Sequence, residues 1–267
     1  MTQRLAFGVD PTRSETYSLR QARYHAIGEE LGRLIPDFVR RDQPLKLLDV
    51  GFWNGVSRRY IEVHDPAGVV EFHGVDLKLH HAIYKRESWD SLQEGDILAG
   101  FPFLESNQFD VVICEQVLEH LPHINIALAT LSRVLKPGGR LILGVPIFPR
   151  GVHLIRRHVI PFCDRLVGKT KPRSHLQAFS RASFEAAIEK NCDVEIIARR
   201  GFRMVSGGLL RPLENQRWWW QMNRTLGEWL PGLCTELQVI AVKRQPVAAT
   251  IPVKSLPATD EMLPVAA

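Results

Sequence analysis

The stretch from Asp49 to Gly55 contains residues that could hold a charged nucleotide-like ligand. Two apolar residues, Leu47 and Leu48, precede Asp49, and Gly51 and Gly55 let the backbone turn sharply and approach a ligand closely. The carboxylate would repel a pyrophosphate but suits a ligand that carries an ammonium and a sulfonium. The glycine spacing is G-x-x-x-G, not the G-x-G-x-x-G of dinucleotide-binding folds. The turn therefore favours S-adenosylmethionine over a dinucleotide, although similar turns occur in α/β proteins that bind nothing there.

The apolar pattern around this turn predicts the elements that position it. A helix is predicted over residues 20 to 41, followed by a buried strand that ends at Asp49 and by a helix after Gly55. A second strand is predicted from Val69 to Asp76, and a third ends at residues 95 to 97. A fourth runs from Phe109 to Cys114.

The second half of the chain continues the alternation of helices and strands. Apolar residues from Ile124 to Leu135 mark one face of a helix that residues 136 to 139 stop, and a strand follows over residues 140 to 145. Ser180 is predicted to cap a helix. The last two strands are predicted over residues 194 to 198 and 237 to 242. This order predicts an α/β fold with a mostly parallel sheet and helices on both faces.

Composition sets the limits on domain number and location. The chain has 267 residues, of which 45% are hydrophobic, and this size favours one domain over residues 1 to 244 with a disordered tail over residues 245 to 267. The N-terminus lacks an apolar core segment, and no run is long enough to cross a bilayer. Four scattered cysteines without a C-x-x-C pair fit a reducing compartment. We therefore expect a cytoplasmic protein.

Once these elements are placed, two long motifs resemble a known family. The first runs from Phe109 to Leu121 (FDVVICEQVLEHL) and the second from Leu131 to Leu141 (LSRVLKPGGRL). Together with residues 49 to 55, Asp76 and residues 95 to 97, they resemble the class I S-adenosylmethionine-dependent methyltransferases, and in particular the type 11 branch. Residues 175 to 180 resemble the approach to the family's fifth helix. The resemblance covers roughly residues 45 to 200 and implies a Rossmann-like, seven-stranded sheet whose last strand is antiparallel.

The resemblance also implies a cofactor, S-adenosylmethionine, and a set of residues that bind it. Asp76 would take the ribose hydroxyls, and Asp96 would accept from the adenine amino group. The full set is Asp49, Gly51, Phe52, Gly55, Asp76, Leu77, Asp96, Ile97 and Glu115. Trp53 stands where the family has its middle glycine. If its ring filled the methionine end of the pocket, the protein would be a non-catalytic partner with this fold.

Methyl transfer to a hydroxyl needs an aligned acceptor and a base for its proton. His120, His123 and His175 lie where this fold opens its cleft, and His120 is the candidate catalytic residue; the alternative is that it only packs against the next helix. Some relatives have an E-x-x-E-H metal site here, but Gln116 replaces the first carboxylate, so no metal is expected. Strand four lacks the proline-rich aromatic motif of nucleobase amine methyltransferases.

The methyl acceptor is to be sought in two insertions, residues 147 to 179 and 203 to 232. The net charge is +5, and residues 150 to 224 hold 15 basic and 6 acidic residues. Such a basic segment, with Trp218, Trp219 and Trp220, suits a cap for a small-molecule, glycan or lipid-linked acceptor, with possible peripheral contact to the inner membrane face. An RNA footprint and a solvated basic face over core tryptophans are the alternatives. We predict O-methylation of a small-molecule, glycan or lipid-linked acceptor, and consider nucleic acid an unlikely partner.

Overall fold

The computed structural model describes residues 19–148, 176–204 and 208–246. Several predictions concern residues outside these ranges. They are the basic residues between 150 and 173, His175, Cys163 and the tail from residue 247 onward, and the side chain of Arg211 is also not described.

Seven strands form one sheet in the described residues. They are β1 (Leu45–Val50), β2 (Val70–Asp76), β3 (Ser91–Glu94), β4 (Phe109–Glu115), β5 (Leu135–Pro146), β6 (Val194–Phe202) and β7 (Glu236–Lys243). Their order in the sheet is β3-β2-β1-β4-β5-β7-β6. All neighbours pair in parallel except β7, which is antiparallel to both β5 and β6. The predicted Rossmann-like sheet with an antiparallel last strand is confirmed.

Helices cover both faces of the sheet because successive strand residues alternate between them. The described helices are α1 (Ala22–Arg41), α2 (Val56–Glu62), α3 (Ile124–Val134), α4 (Arg181–Asn191) and α5 (Arg217–Trp229). One core joins α3 and α4 to residues such as Val112 and Cys114, and the other joins α1 and α2 to Val111 and Ile113. This alternation along β4 decides which of its residues can face the cofactor pocket.

Several predicted boundaries are wrong by a few residues, among them the start of β5, which is Leu135 instead of residue 140, and the end of β6, which is Phe202 instead of residue 198. Helix α3 ends at Val134, because Leu135 already pairs with Phe109 as the first residue of β5. Strand β3 ends at Glu94 instead of at residues 95 to 97. The carboxylate of Asp96 there accepts a hydrogen bond from the Leu98 backbone (2.9 Å) and caps a short 3₁₀ turn. Such a side-chain bond offers the backbone an alternative to the strand ladder.

Ser180 caps α4 as predicted. Its hydroxyl accepts from the Ser183 backbone (3.2 Å), and the Ser183 hydroxyl accepts from the Ser180 backbone (2.9 Å), which completes a capping box. Phe184 and Ile188 of this helix are fully buried.

Residues 203 to 232, predicted to form a cap, contain α5, which packs against the first helix and the edge of the sheet. Trp219 and Trp220 are buried with Ala22 and Ala26 of α1. Gly227 lies so close to the Gly201 carbonyl that a Cβ would come within 1.9 Å of the oxygen. Two of the three consecutive tryptophans are therefore core residues, while Trp218 is exposed.

Candidate functional site

A pocket of about 400 Å³ opens at the carboxyl ends of β1, β2 and β4. Open α/β sheets bind ligands at this edge. Its volume is in the range of small-molecule sites. The residues predicted for cofactor binding or catalysis that line it are Gly51, Asp76, Leu77, Asp96, Ile97 and His120. Trp53, Phe101, Gln116 and Val117 line it as well.

Gly51 makes the sharp turn after β1. Its φ is +70°, a conformation that side chains rarely adopt, and its backbone N–H donates to the Val75 carbonyl (2.8 Å). A Cβ at Gly51 would lie 2.2 Å from a methyl group of Val117 on the next loop. The floor of the pocket at this point has room for backbone only.

Trp53 occupies a glycine-like conformation without filling the pocket. Its φ is +49°, and its backbone N–H donates to the Asp76 carboxylate (2.9 Å). The ring leans edge-on against His80, with ring centroids 5.2 Å apart, and the residue is 61% exposed. The substitution of the family's glycine therefore leaves the pocket open.

Asp76 and Asp96 end neighbouring segments and face the same pocket. Asp76 closes β2, and Asp96 follows β3. Each already accepts one backbone hydrogen bond, Asp76 from Trp53 and Asp96 from Leu98. Both carboxylates therefore have a fixed orientation and acceptor capacity to spare.

Three of the predicted cofactor-binding residues lie behind the pocket lining. Asp49 is buried and accepts a hydrogen bond from the Ser57 hydroxyl, and burial raises its pKa to about 7. Phe52 is buried and packs against Trp89, with ring centroids 4.9 Å apart. Gly55 has a φ of +78° and starts α2. None of these three residues belongs to the described pocket lining. They support the turn from the side that faces away from the pocket.

Glu115, also predicted to bind the cofactor, points to the α1 face of the sheet. Its carboxylate lies over Gly144, where a Cβ would come within 2.0 Å of an oxygen. It accepts a hydrogen bond from Gln238 (2.6 Å) and lies 3.7 Å from the Arg23 guanidinium. Burial raises its pKa to about 7, while Arg23 opposes that rise. The alternation along β4 places this side chain on the face of Ile113, away from the described pocket lining.

Gln116 is a pocket residue that the sequence did not single out as a binding group. Its φ is +57°, and its backbone N–H donates to the Gly144 carbonyl (2.8 Å). The side-chain Nε2 is buried without a hydrogen-bond partner in the described structure. Buried donors are nearly always bonded, so this amide is suited to a ligand in the pocket. The only sequence signal was its replacement of a carboxylate in the E-x-x-E-H pattern.

Arg23 was missed as well, because its partners are distant in the chain. It donates to Glu236 (3.0 Å) and to Tyr24 (3.4 Å), and its Nε is buried without a hydrogen bond. Glu236 also accepts from Arg203 (2.8 Å). This group joins α1 to the start of β7 and the end of β6.

His120 lies at the mouth of the pocket with a buried acid behind it. Its Nε2 is 3.8 Å from an oxygen of Glu119. Glu119 is only 1% exposed, its second oxygen has no hydrogen-bond partner among the described residues, and burial raises its pKa to about 7. His123 is exposed at the start of α3 and is not part of the pocket lining. Among the described residues we find no group of three or more His, Cys, Asp or Glu placed to hold a metal ion.

This sheet order, with a glycine turn and two acids around one pocket, defines a Rossmann-like methyltransferase fold. The methyltransferase domain family matches residues 48–143. A demethylmenaquinone methyltransferase from Staphylococcus carnosus is 34% identical over 36% of this chain and 41% of its own length. A ubiquinone biosynthesis O-methyltransferase from Hahella chejuensis is 28% identical over 64% of this chain and 73% of its own length. Thus the chain covers less than half of the first relative.

A solved structure supports the fold. A Galdieria sulphuraria protein described as a sarcosine dimethylglycine methyltransferase superposes with a TM-score of 0.51 and 16% identity, over 82% of this chain and 85% of its own. The family match over residues 48–143 and the two relatives support a class I S-adenosylmethionine-dependent methyltransferase, and the solved structure supports its fold. S-adenosylmethionine is its cofactor. The pocket fits this molecule, since it offers two carboxylates, a Cβ-free turn at Gly51 and the unpaired amide of Gln116.

Proposed function

We propose that this protein transfers a methyl group from S-adenosylmethionine to a hydroxyl oxygen of a small, lipid-linked or glycan acceptor. The observation that carries the proposal is the placement of His120, backed by the buried acid Glu119, in the pocket lining. The names of the two relatives favour, among these acceptors, a molecule with a quinone-type ring.

In this proposal the lining residues hold the cofactor by its polar groups. Asp76 would accept from the ribose hydroxyls, and Asp96 from the adenine amino group. Gln116 would donate its Nε2 hydrogens to an oxygen of the cofactor. Asp49, Phe52 and Gly55 would act by holding the turn in shape. Glu115 would not touch the cofactor, because its carboxylate is bonded on the other face of the strand.

The cofactor supplies a methyl group that is already activated on a sulfonium, so the protein must chiefly align the acceptor and take up its proton. His120 would receive the hydroxyl proton. Glu119, ionised above a pKa of about 7, would stabilise the charged imidazole from 3.8 Å away. The rate should therefore rise with pH through the range in which Glu119 ionises.

The test is methyl transfer from labelled cofactor into fractionated lipid, glycan and small-molecule extracts. His120→Gln should lower kcat by about 100-fold or more and leave S-adenosylhomocysteine binding intact. Glu119→Gln should remove the pH dependence near 7. His123→Gln is the matched control, because it removes a neighbouring imidazole that does not line the pocket. An unchanged kcat in His120→Gln would refute the role of this residue.

A peripheral membrane contact is a further part of this proposal. Trp218 and Trp229 lie three helical turns apart on α5, so they share one face, and they are 55% and 75% exposed. Leu233, which follows the helix, is 53% exposed. Exposed tryptophans and leucines are suited to the interfacial region of a bilayer. No helix within the described ranges is long and apolar enough to span a membrane.

Sedimentation with anionic vesicles tests this contact. Trp229→Ser should reduce the bound fraction, whereas Trp53→Ser, which removes a similarly exposed tryptophan at the cofactor pocket, should not. Equal binding by both variants would exclude a contact through α5.

A further inference from the structure

A second cavity, of about 260 Å³, lies at the amino-terminal edge of the sheet, at the opposite ends of the strands from the cofactor pocket. The end of α1 and the beginnings of β4 and β5 enclose it. Its charged and turn-forming residues are Asp37, Arg41, Asp110, Lys136, Gly138 and Arg140. Asp110 and residues 136 to 140 belong to the two motifs of the family resemblance, but neither the cofactor pocket nor the proposed methyl transfer uses this cavity.

The two acids of this cavity are already neutralised by neighbouring cations. Both oxygens of Asp110 accept from the Lys136 ammonium (2.8 and 2.9 Å), and one also accepts from the Lys46 backbone (3.0 Å). Asp37 is paired with Arg40, one turn further along α1. These carboxylates therefore do not cancel the charge of the other cations in the cavity.

Arg140 is only partly neutralised, because its nearest acid is shared. Glu30 accepts from Arg33 (2.9 Å) and from Arg200 (2.8 Å) through the same oxygen. Its other oxygen is 3.8 Å from Nε of Arg140, too far for a hydrogen bond. That Nε is buried without a hydrogen-bond partner in the described structure. One carboxylate thus serves three guanidinium groups.

Arg41 adds a second available cation. It is exposed at the last position of α1, and none of the acids in the described residues pairs with it. Gly138, with a φ of +78°, brings the chain around the cavity as a turn without a side chain. Arg41 and Arg140 thus both line a small polar cavity whose acids are already bonded to other cations.

We propose that this cavity binds the phosphoryl group of a small molecule. A guanidinium presents two parallel N–H donors that match two oxygens of a phosphate. Arg41 and Arg140 beside the turn at Gly138 therefore suit a small dianion such as a phosphoryl group. The cavity volume accommodates the phosphoryl group together with a small attached moiety. The site is remote from the methyl-transfer chemistry, so its test does not depend on that function.

Isothermal titration of the full chain with inorganic phosphate, against sodium chloride at equal ionic strength, measures the site directly. Arg41→Gln should weaken phosphate binding by about 10-fold or more, which corresponds to about 1.4 kcal/mol, because it removes charge-assisted hydrogen bonds. The matched control is Arg86→Gln, which removes an exposed arginine of the same charge between β2 and β3. S-adenosylhomocysteine binding should be unchanged in both variants, which reports that the fold is intact.

A parallel titration with vesicles that contain phosphatidic acid distinguishes a soluble phosphorylated ligand from a lipid headgroup. Arg41-dependent binding of free phosphate supports a soluble ligand, and Arg41-dependent binding of vesicles alone supports a lipid headgroup. Equal loss in Arg41→Gln and Arg86→Gln, or no loss in either, would overturn the proposal, because both results indicate non-specific attraction.

Discussion

Replacing Gly51 with alanine should damage both the stability of the protein and its cofactor pocket. The added Cβ meets two separate obstacles. The φ of +70° is strained for any residue with a Cβ, and the new methyl group would lie 2.2 Å from a methyl of Val117. Because Gly51 and Val117 both line the pocket, relief of the clash has to move its wall.

The magnitude can be divided between these two obstacles. A left-handed conformation costs an alanine about 1–2 kcal/mol. Forcing an extra methyl group into a packed site costs a further ~1–3 kcal/mol. We therefore expect Gly51→Ala to lower the free energy of unfolding by roughly 2–5 kcal/mol.

Gly68 provides a matched control for the backbone part. It has nearly the same φ, +68°, but a Cβ there would have nothing within 4 Å. Gly68→Ala should therefore cost only about 1–2 kcal/mol and leave S-adenosylhomocysteine binding unchanged. In a Val117→Ala background the clash is absent, so Gly51→Ala should again cost about 1–2 kcal/mol.

Urea denaturation of the four variants and titration with S-adenosylhomocysteine supply the measurements. If Gly51→Ala loses no more stability than Gly68→Ala and binds the ligand as tightly as the natural protein, the close approach between the turn and Val117 plays no part in forming the pocket. The reasoning would also fail if Val117→Ala did not reduce the cost of Gly51→Ala.

The remaining predictions concern three other positions. We expect the natural protein to bind S-adenosylhomocysteine, and Trp53→Gly to bind it with an affinity within a few-fold, because the exposed ring leaves the pocket open. Binding by the variant alone would contradict this expectation. Asp49→Asn removes a carboxyl whose folded pKa is raised to about 7. Since the folded state holds that proton to higher pH than the unfolded state, the contribution of Asp49 to stability falls by up to about 1.4 kcal/mol per pH unit from about pH 4 to about pH 7, and the slope measured in urea titrations should be smaller in the variant by this amount. Ser180→Ala should cost about 1 kcal/mol of stability through the lost cap of α4, measured by thermal or urea unfolding, and an unchanged midpoint would refute it.

The sequence was sufficient to predict which acids lie at the strand ends that border the pocket. The family resemblance implied Asp76 and Asp96, and the structure places both in the pocket lining because acids that follow neighbouring parallel strands meet at one edge of the sheet. Glu115 was misjudged although the strand period could have corrected it. Val111, Ile113 and Glu115 occupy alternate positions of β4, so their side chains point to the same face of the sheet. Val111 and Ile113 pack under α1 on that face, and Glu115 therefore lies there too.

Other parts could not be predicted because they depend on contacts between distant residues. Arg23 becomes a buried group only through Glu236, which is 213 positions away. The conformation of Trp53 could not be predicted from its size, which suggested a filled pocket, because its φ of +49° and its contact with His80 turn the ring outward. Neither tertiary contact leaves a periodic signal in the sequence.

Helix α1 also determines the order in which the protein can complete its fold during synthesis. It leaves the ribosome before the sheet, yet Glu30 and Arg23 find Arg200 and Glu236 only 170 and 213 residues later. Until β6 and β7 are made, the apolar side of the helix with Ile27 and Leu31 has only part of its sheet to cover it. Such long-range closure slows folding and exposes the nascent chain to aggregation, so the protein should depend on chaperones during translation more than a helical bundle of equal length.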